Sequence, residues 1–302
     1  MYFIPLIFLL LVAIFGSSSP VKAWDFSFKG DLTQKSTDNV NYSSTDLVSD
    51  RVKVIGAYFQ TKDENDRFRL RFKANRYVKI VENNSNMLEA SYQRKFSKDL
   101  SDSFQFKVFS EKYTTIPTIY GDTTSDNKGG EVQFALSRPM DKTLNLNAIY
   151  LVNYKSYVKN LDRTDYRFET SFGLDKLFKK VLTFAPEVTI TYNNSKESYY
   201  TTFNFGANFY FGLELNEYVE VYFNYNWSKV NYMDRSFTLT KTGRTITLKE
   251  ELTNSSREIG LNVYATDWLT LEAKFGNTKS NSNNTLNTYQ ANDWSLGASF
   301  RY

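Results

Sequence analysis

Four basic residues at alternate positions form a pattern that could act on a solute through charge alone. Residues 66–74 read DRFRLRFKA. Side chains on a β-strand point to opposite faces in turn, so this spacing places four cations on one face: Arg67, Arg69, Arg71 and Lys73. Like charges stacked on one face cost free energy unless water or counter-charges lie beside them. The row therefore predicts a hydrated, anion-attracting surface.

Further charged residues follow the same alternation on other segments. The predicted basic set also includes Arg51, Lys53 and Lys107. The predicted acidic set is Glu111, Glu131, Glu169, Glu187, Glu220, Glu258 and Glu272. In a closed ring of strands these sets predict a basic wall that faces a diffusely acidic wall across a lumen, and such a field orients polar solutes. The alternative is that the charges form cross-strand ion pairs and select nothing.

The composition argues against catalysis. The chain has no His and no Cys, which removes Ser-His and Cys-His nucleophile pairs and the usual zinc ligand sets. Paired carboxylates could hydrolyse glycosides, but nothing in the sequence places two of them in a confined cleft. We therefore expect no enzyme, no metal and no cofactor. A formal charge of +4 that is not concentrated in one tail gives no case for nucleic acid.

The segment 199–227 indicates which elements carry these charges. It reads YYTTFNFGANFYFGLELNEYVEVYFNYNW, with aromatic and apolar residues at odd positions and small or polar residues at even positions. A period of two sorts them onto the two faces of a strand. The break at residues 214–217 is short enough for a hairpin turn. Each arm has about ten alternating residues, the length that a tilted strand needs to cross a bilayer.

Fourteen segments of the chain fit this alternating template. The connections after even-numbered segments are short, whereas most of those after odd-numbered segments are longer and rich in Asn, Ser, Thr and Asp. This asymmetry is typical of outer-membrane barrels. The predicted fold class is all-β, a transmembrane antiparallel up-and-down β-barrel of about 14 strands, with 12 or 16 as alternatives. Residues 229–253 predict a protruding hairpin, or two more strands in the larger alternative.

Two segments carry more specific predictions. In the second segment we place Val52, Val54, Gly56 and Tyr58 on the apolar face, which puts Arg51 and Lys53 in the lumen. In the ninth segment Pro186 would remove a ladder hydrogen bond, so we expect a bulge there.

The amino terminus predicts export. Residues 3–15 form an apolar run that is too short to span a membrane as a helix. A small-x-small motif ends at Ala23, as at a signal-peptidase site. We therefore divide the chain into a signal peptide at 1–23 and a barrel at 24–302, located in the bacterial outer membrane.

The carboxy terminus and the architecture carry a family resemblance. The ending WSLGASFRY, with Trp294, Leu296, Phe300 and Tyr302, resembles the signal that outer-membrane proteins present to their assembly machinery. The mature length, the strand number and this ending together resemble the OmpG-type monomeric porins. The resemblance implies a single-chain, non-specific channel for small hydrophilic solutes, with outer-membrane lipid and lipopolysaccharide around it. A His-based pH gate is excluded, because the chain has no His.

Two other classes remain open. The first is an oligosaccharide-selective channel in which the basic row guides acidic sugars. The second is a non-conducting adhesin or structural barrel whose loops bind a partner.

Overall fold

The chain folds as a closed antiparallel β-barrel in the computed structural model, which describes residues 25–39, 49–96, 102–113, 126–157, 163–241, 244–284 and 287–302. The predicted signal peptide lies outside the described residues. The strands are β1 (Asp25–Thr37), β2 (Asp50–Lys62), β3 (Asp66–Tyr77), β4 (Ser85–Lys95), β5 (Ser103–Tyr113), β6 (Asn127–Pro139), β7 (Leu144–Tyr157), β8 (Thr164–Phe178), β9 (Leu182–Ser195), β10 (Thr202–Asn216), β11 (Val219–Lys241), β12 (Arg244–Thr266), β13 (Leu269–Ser282) and β14 (Tyr289–Arg301). The predicted fold class and the count of 14 strands are confirmed.

The ring closes between its first and last strands. Each strand pairs with its neighbours along the chain, and β1 pairs with β14. The backbone N–H of Phe28 donates to the carbonyl oxygen of Tyr302 at 2.8 Å, and the N–H of Tyr302 donates back at 2.8 Å. Closure leaves no free sheet edge around the ring, which is the condition for placing β-strands in a bilayer.

The outer face of the wall is apolar and exposed. Phe28, Phe59 and Leu70 lie side by side across β1, β2 and β3 in register, and the first two are 51% and 40% exposed. Large exposed apolar side chains recur around the ring, whereas only six hydrophobic residues of the described chain are buried. A water-soluble protein rarely exposes so much apolar surface. This outer band is what a lipid environment requires.

The two rims of the barrel differ. Short turns join β2 to β3, β6 to β7, β8 to β9, β10 to β11 and β12 to β13 at one rim, the turn rim. The longer connections lie at the other, the loop rim, where two short 3-10 helices (Val81–Asn83 and Ser198–Tyr200) belong. Within the described part of the chain, no helix is long and apolar enough to cross a membrane.

The longest hairpin projects beyond the loop rim. β11 and β12 have 23 residues each. The strands on either side of this hairpin, β10 and β13, end earlier. Thr202, the first residue of β10, pairs with Tyr232, and Ser282, the last residue of β13, pairs with Leu252. About nine further residues on β11, at roughly 3.3 Å per residue, extend about 30 Å from the rim. The predicted protruding hairpin is thus a continuation of two barrel strands, with an irregular register between Asn231 and Ser236.

Pro186 does not produce the expected bulge. Gly173 pairs with Glu187 and Lys176 with Phe184, so the register between β8 and β9 is the same on both sides of the proline. Only the two intervening pairs are missing, while Pro186 still pairs with Phe209 of β10. The missing N–H of Pro186 therefore removes only the nearby pairing with β8, and the same side chains of β9 face outward on both sides of the proline.

Candidate pore

The cavities identify the inner face of the wall. A cavity of about 460 Å³ is lined by residues of β1–β3 and of β12–β14, among them Lys29, Arg71 and Glu272. Since β3 and β13 are not neighbours, their residues can line one cavity only from inside the ring. A second cavity of about 670 Å³ lies at the turn rim and includes Arg67 and Lys29. The lumen is therefore an open, polar space.

The basic row faces this lumen. The registers with β2 and β4 place Arg67, Arg69, Arg71 and Lys73 on the face opposite the exposed residues Phe72 and Leu88. The row begins at the turn rim and extends past the middle of β3, because Arg67 is at the second position of the strand and Lys73 is four residues from its end. An anion that enters from the turn rim meets these side chains in succession.

Arg69 is the most firmly held member of the row. Its guanidinium donates to Oε1 of Gln60 at 3.0 Å and lies 5.2 Å from the ring centre of Tyr58. Nζ of Lys29 lies 5.6 Å from the centre of the same ring. Tyr58 therefore lies in the lumen beside two cations, where cation–π attraction orders them. Lys29 is not among the predicted lumen residues, and Tyr58, predicted on the apolar face, lies in the lumen instead.

The other three members of the row have no ion pair within 4 Å among the described residues. Arg71 lies opposite Glu89 of β4 in register, and Lys73 lies opposite Met87. By contrast, Lys107 of β5 is paired with Glu131 at 2.6 Å. The four residues of the basic row thus form a continuous group of lumen cations without an ion pair in the described chain, since the partner of Arg69 is the neutral amide of Gln60.

The predicted acidic residues all lie on the lumen face of their strands, and each has a partner. Glu169 contacts Arg167, and Glu272 binds Lys274 at 2.8 Å. Three other carboxylates accept hydrogen bonds from neutral side chains: Glu111 from Asn127, Glu187 from Thr189, and Glu258 from Tyr222. Ion pairs therefore offset the charge of Glu131, Glu169 and Glu272, whereas the carboxylates with neutral partners keep their full negative charge.

Glu220 is the centre of a hydrogen-bond network near the turn rim. Its carboxylate accepts bonds from the hydroxyl groups of Tyr210 at 2.7 Å and Tyr264 at 2.9 Å, and from Nδ2 of Asn262 at 3.0 Å. Four partly exposed polar groups are held together here, which fixes the lumen surface across β10, β11 and β12.

The wall opposite the basic row is rich in amides rather than carboxylates. Across β9, β10 and β11 the lumen face consists largely of Thr, Asn, Gly and Ser, and a cavity of about 400 Å³ lies against it. Its lining includes Thr189, Thr191, Asn204, Asn208, Asn226 and Ser228. Glu272, which the prediction placed in an acidic wall, lines the same cavity as Arg71 and Lys73. The transverse field therefore runs from a basic wall to an amide-rich wall that also carries the carboxylates Glu187 and Glu220.

Arg51 and Lys53 are not in the lumen, and this prediction is wrong. In register, Gln34 pairs with Lys53, and the next outward pair is Leu32 with Ile55. Leu32 and Ile55 are exposed on the outer face, so Arg51 and Lys53 also point outward. Val54, expected on the lipid face, lines the lumen cavity instead.

No group of three or more Asp and Glu residues in the described ranges could hold a metal ion. The four residues of the predicted assembly signal face outward and are exposed, with Tyr302 98% exposed: Trp294, Leu296, Phe300 and Tyr302.

Comparisons with known proteins give structural likeness only. No protein family matches the chain, and no curated protein matches it. The outer membrane channel DcaP of Acinetobacter baumannii is similar, at 11% identity and a TM-score of 0.49 over 94% of this chain and 100% of that one. An anion-selective porin from Comamonas acidovorans gives 8% and 0.47 over 93% and 100%. OmpT of Vibrio cholerae gives 9% and 0.47 over 94% and 99%.

Proposed function

We propose that this chain is an outer-membrane porin, a water-filled channel for passive diffusion of small hydrophilic solutes and ions. The observation that supports this most directly is a closed ring of 14 strands with an apolar outside and a polar inside. A ring of this size encloses more space than its side chains fill. We further propose that it acts as a single chain without an OmpG-type acid gate.

The basic row favours a second, narrower candidate, which is a channel with preference for acidic solutes. Arg67, Arg71 and Lys73 lie on one strand and have no ion pair among the described residues, whereas Glu131, Glu169 and Glu272 are ion-paired and the other predicted carboxylates are distributed over several strands. Rings and rows of unpaired charge set the ion preference of a pore. The amide-rich wall on the other side can form hydrogen bonds with the hydroxyl groups of a solute. An acidic sugar carries both a negative charge and hydroxyl groups, so it can interact with both walls.

The proposal is tested by single-channel recording of the refolded mature chain in a planar bilayer, with a salt gradient across it. We expect one-step openings and a reversal potential on the anion side. Closures in three steps would indicate a trimer. A heat-modifiable, folded barrel without any conductance would rule out the porin and leave the projecting hairpin as the place to search for a partner.

Charge reversal separates the two candidates. Arg69→Glu/Arg71→Glu changes the lumen wall, and we expect the anion preference to fall. A mild shift supports the general pore, and a large loss of anion flux supports the channel for acidic solutes. The matched control is Arg51→Glu/Lys53→Glu, which changes the same charge on the outside of the barrel. An equal effect of both variants would contradict a lumen mechanism.

The outward aromatic residues of β14 support a role in assembly. We propose that Trp294, Leu296, Phe300 and Tyr302 engage the barrel-assembly machinery of the outer membrane. Deletion of Tyr302 removes the carboxy-terminal aromatic residue and the two backbone bonds to Phe28. We expect less barrel in the membrane fraction, while refolding in detergent separates an assembly defect from a stability defect.

A further inference from the structure

Five basic side chains face outward at the loop-rim ends of β2 to β6. We call them the outer basic patch: Arg51, Lys53, Arg76, Lys112 and Lys128. The register shows that they face outward, because each lies an even number of residues from an exposed apolar residue on its own strand, or from the residue opposite one on the next strand. These exposed apolar residues are Ile55, Phe72, Leu88 and Phe134. All are exposed except Arg76, which is half-buried.

The patch is continuous across five strands. Lys53 and Arg76 are directly opposite each other, and the Arg76 guanidinium donates to Oδ1 of Asn86 at 2.6 Å. Asn86 is in turn opposite Lys112. Lys128 is opposite Ser110, the next outward residue below Lys112. Directly opposed side chains lie about 5 Å apart and diagonal neighbours about 7–8 Å apart, so one extended ligand can reach several members.

The patch has little counter-charge on its own face. At the loop-rim ends of β2 to β6, Asp126 precedes Asn127 of β6 at a position of the same parity as Lys128, and its carboxylate accepts the backbone N–H of Tyr113 at 2.9 Å. The nearby Asp50 is buried and accepts backbone N–H groups of Arg51, Lys79 and Ile80. Like charges placed opposite each other, as Lys53 and Arg76 are, cost free energy. An external anion would remove that cost.

Most outward cations elsewhere on the barrel are paired within the protein, and Arg257 and Lys279 are outward cations without an ion pair among the described residues. At the turn rim Arg94 lies near Asp66 at 3.8 Å, Arg138 contacts Asp102, and Lys176 binds Asp141 at 3.2 Å. On the far side of the loop rim, Lys229 binds Glu251 at 2.8 Å. The clustering of five basic side chains without an ion pair in the described part of the chain thus distinguishes the patch from these other outward cations.

The patch lies just beyond the apolar band. Ile55 is 46% exposed and follows Lys53 by two residues, and Leu88 is 46% exposed two residues from Asn86. Two residues of a strand span roughly 7 Å. A layer of headgroups about 5–8 Å thick lies on each side of the hydrocarbon core. The cations therefore sit at the level of lipid headgroups.

From this placement we propose that the outer basic patch binds the phosphorylated sugar headgroup of an outer-leaflet glycolipid, of the lipid A type. The proposal rests on the outer-membrane location proposed above. Phosphate groups accept strong, charge-assisted hydrogen bonds from Arg and Lys. A headgroup that carries two phosphates on a saccharide spans several strands, as the patch does. Cations at a membrane surface attract anionic headgroups in this way.

The test counts bound lipid on the full mature chain, folded in neutral detergent, by native mass spectrometry. The probe is lipid A with two phosphates, compared with dephosphorylated lipid A and with phosphatidylglycerol. We expect at least tenfold weaker lipid A binding for Arg51→Gln/Lys53→Gln/Lys112→Gln/Lys128→Gln. The control Arg94→Gln/Lys176→Gln removes outward charge at the turn rim and should change binding less than twofold. Heat-modifiability verifies that each variant is folded.

Equal binding of lipid A and its dephosphorylated form would overturn the proposal, and so would equal binding of lipid A and phosphatidylglycerol. Unchanged lipid A binding by the folded fourfold variant would do the same. If that variant failed to fold, Lys112→Gln/Lys128→Gln would be measured alone, with the same expectation of weaker binding. Conductance is recorded on the same samples, so that the two proposals can fail separately. Lipid A binding without conductance would refute only the proposed porin function. Conductance without phosphate-dependent binding would refute only the proposed lipid binding by the patch.

Discussion

Arg235 and Glu250 form an ion pair at 2.6 Å inside the base of the projecting hairpin, where the Glu250 side chain is 1% exposed. The guanidinium of Arg235 also lies 4.8 Å from the ring centres of both Tyr199 and Tyr232. On the other side, Oγ of Ser282 donates to Glu250 at 3.1 Å. The hairpin is thus fixed to the 3-10 helix before β10 and to the end of β13.

The first prediction concerns this buried carboxylate. Glu250→Gln leaves Arg235, whose side chain is 23% exposed, without its buried counter-charge, and removing one partner of a largely buried pair costs about 3 kcal/mol. We expect faster amide exchange and protease cleavage within residues 232–250. The matched control is the neighbouring Glu251→Gln. Glu251 is half-exposed in its pair with Lys229, and such pairs contribute less than about 1 kcal/mol. Similar exchange in both variants would contradict the assignment.

The second prediction compares two adjacent glycines of β6. A Cβ at Gly129 would overlap the carbonyl oxygen of Tyr154 and lie 2.7 Å from Cζ of Phe109. At Gly130 the nearest atom is the carbonyl oxygen of Lys107, at 3.4 Å. Forcing backbone to move in a packed wall costs about 3 kcal/mol, so Gly129→Ala should lower the free energy of unfolding by that amount. Gly130→Ala should be nearly neutral. Urea unfolding in lipid vesicles measures both, and equal losses would refute the clash.

The third prediction concerns the turn between β8 and β9. Lys179 and Lys180 have φ of 49° and 62°, a left-handed conformation that costs a residue with a Cβ roughly 1–2 kcal/mol. Asn and Gly tolerate it, and they favour hairpin turns of this type. Lys179→Asn/Lys180→Gly should therefore raise the free energy of unfolding by about 1 kcal/mol. Lys179→Gln/Lys180→Gln removes the same charges without relieving strain, so a gain there would show that charge is responsible.

The fourth prediction is a pH dependence at the turn between β6 and β7. The backbone N–H and hydroxyl of Thr143 and the ammonium of Lys176 lower the pKa of Asp141 from 3.8 to about 2. Because the folded pKa lies below the unfolded one, the ionised carboxylate stabilises the fold above pH 4, and this contribution is lost as the pH falls through 2. The melting temperatures of the Asp141→Asn variant and the wild type should differ above pH 4, and this difference should shrink between pH 4 and pH 2. A constant difference would exclude this linkage.

Strand number and hairpin order could be predicted from the sequence because lipid on one side and water on the other impose a strict period of two. The sequence could not show which side chains of β2 face outward. Residues 51–59 read RVKVIGAYF, and both phases contain apolar residues, so a shift of one position exchanges the faces. Only the pairing of Phe59 with Phe28 and Leu70 decides between them.

The position of charges along the barrel was also beyond the sequence. Alternation tells which face a side chain occupies, but not how far from the bilayer centre it lies. Arg51 and Lys53 are near the loop-rim end of β2, where outward charges cost little because the cost depends on depth. The partners of Glu169 and Glu272 were likewise hidden, since Arg167 and Lys274 are neighbours on their own strands and had not been assigned to the lumen.

The seam between Phe28 and Tyr302 has a kinetic consequence. It joins strands at opposite ends of the described chain, so its contacts have the greatest sequence separation of any in the ring. Contacts of this kind form late and slow a folding reaction. Until they form, the incomplete sheet exposes two edges, on β1 and β14, and each can pair with a strand of another molecule. Closure of the seam therefore competes directly with aggregation, and dilution should raise the refolded yield.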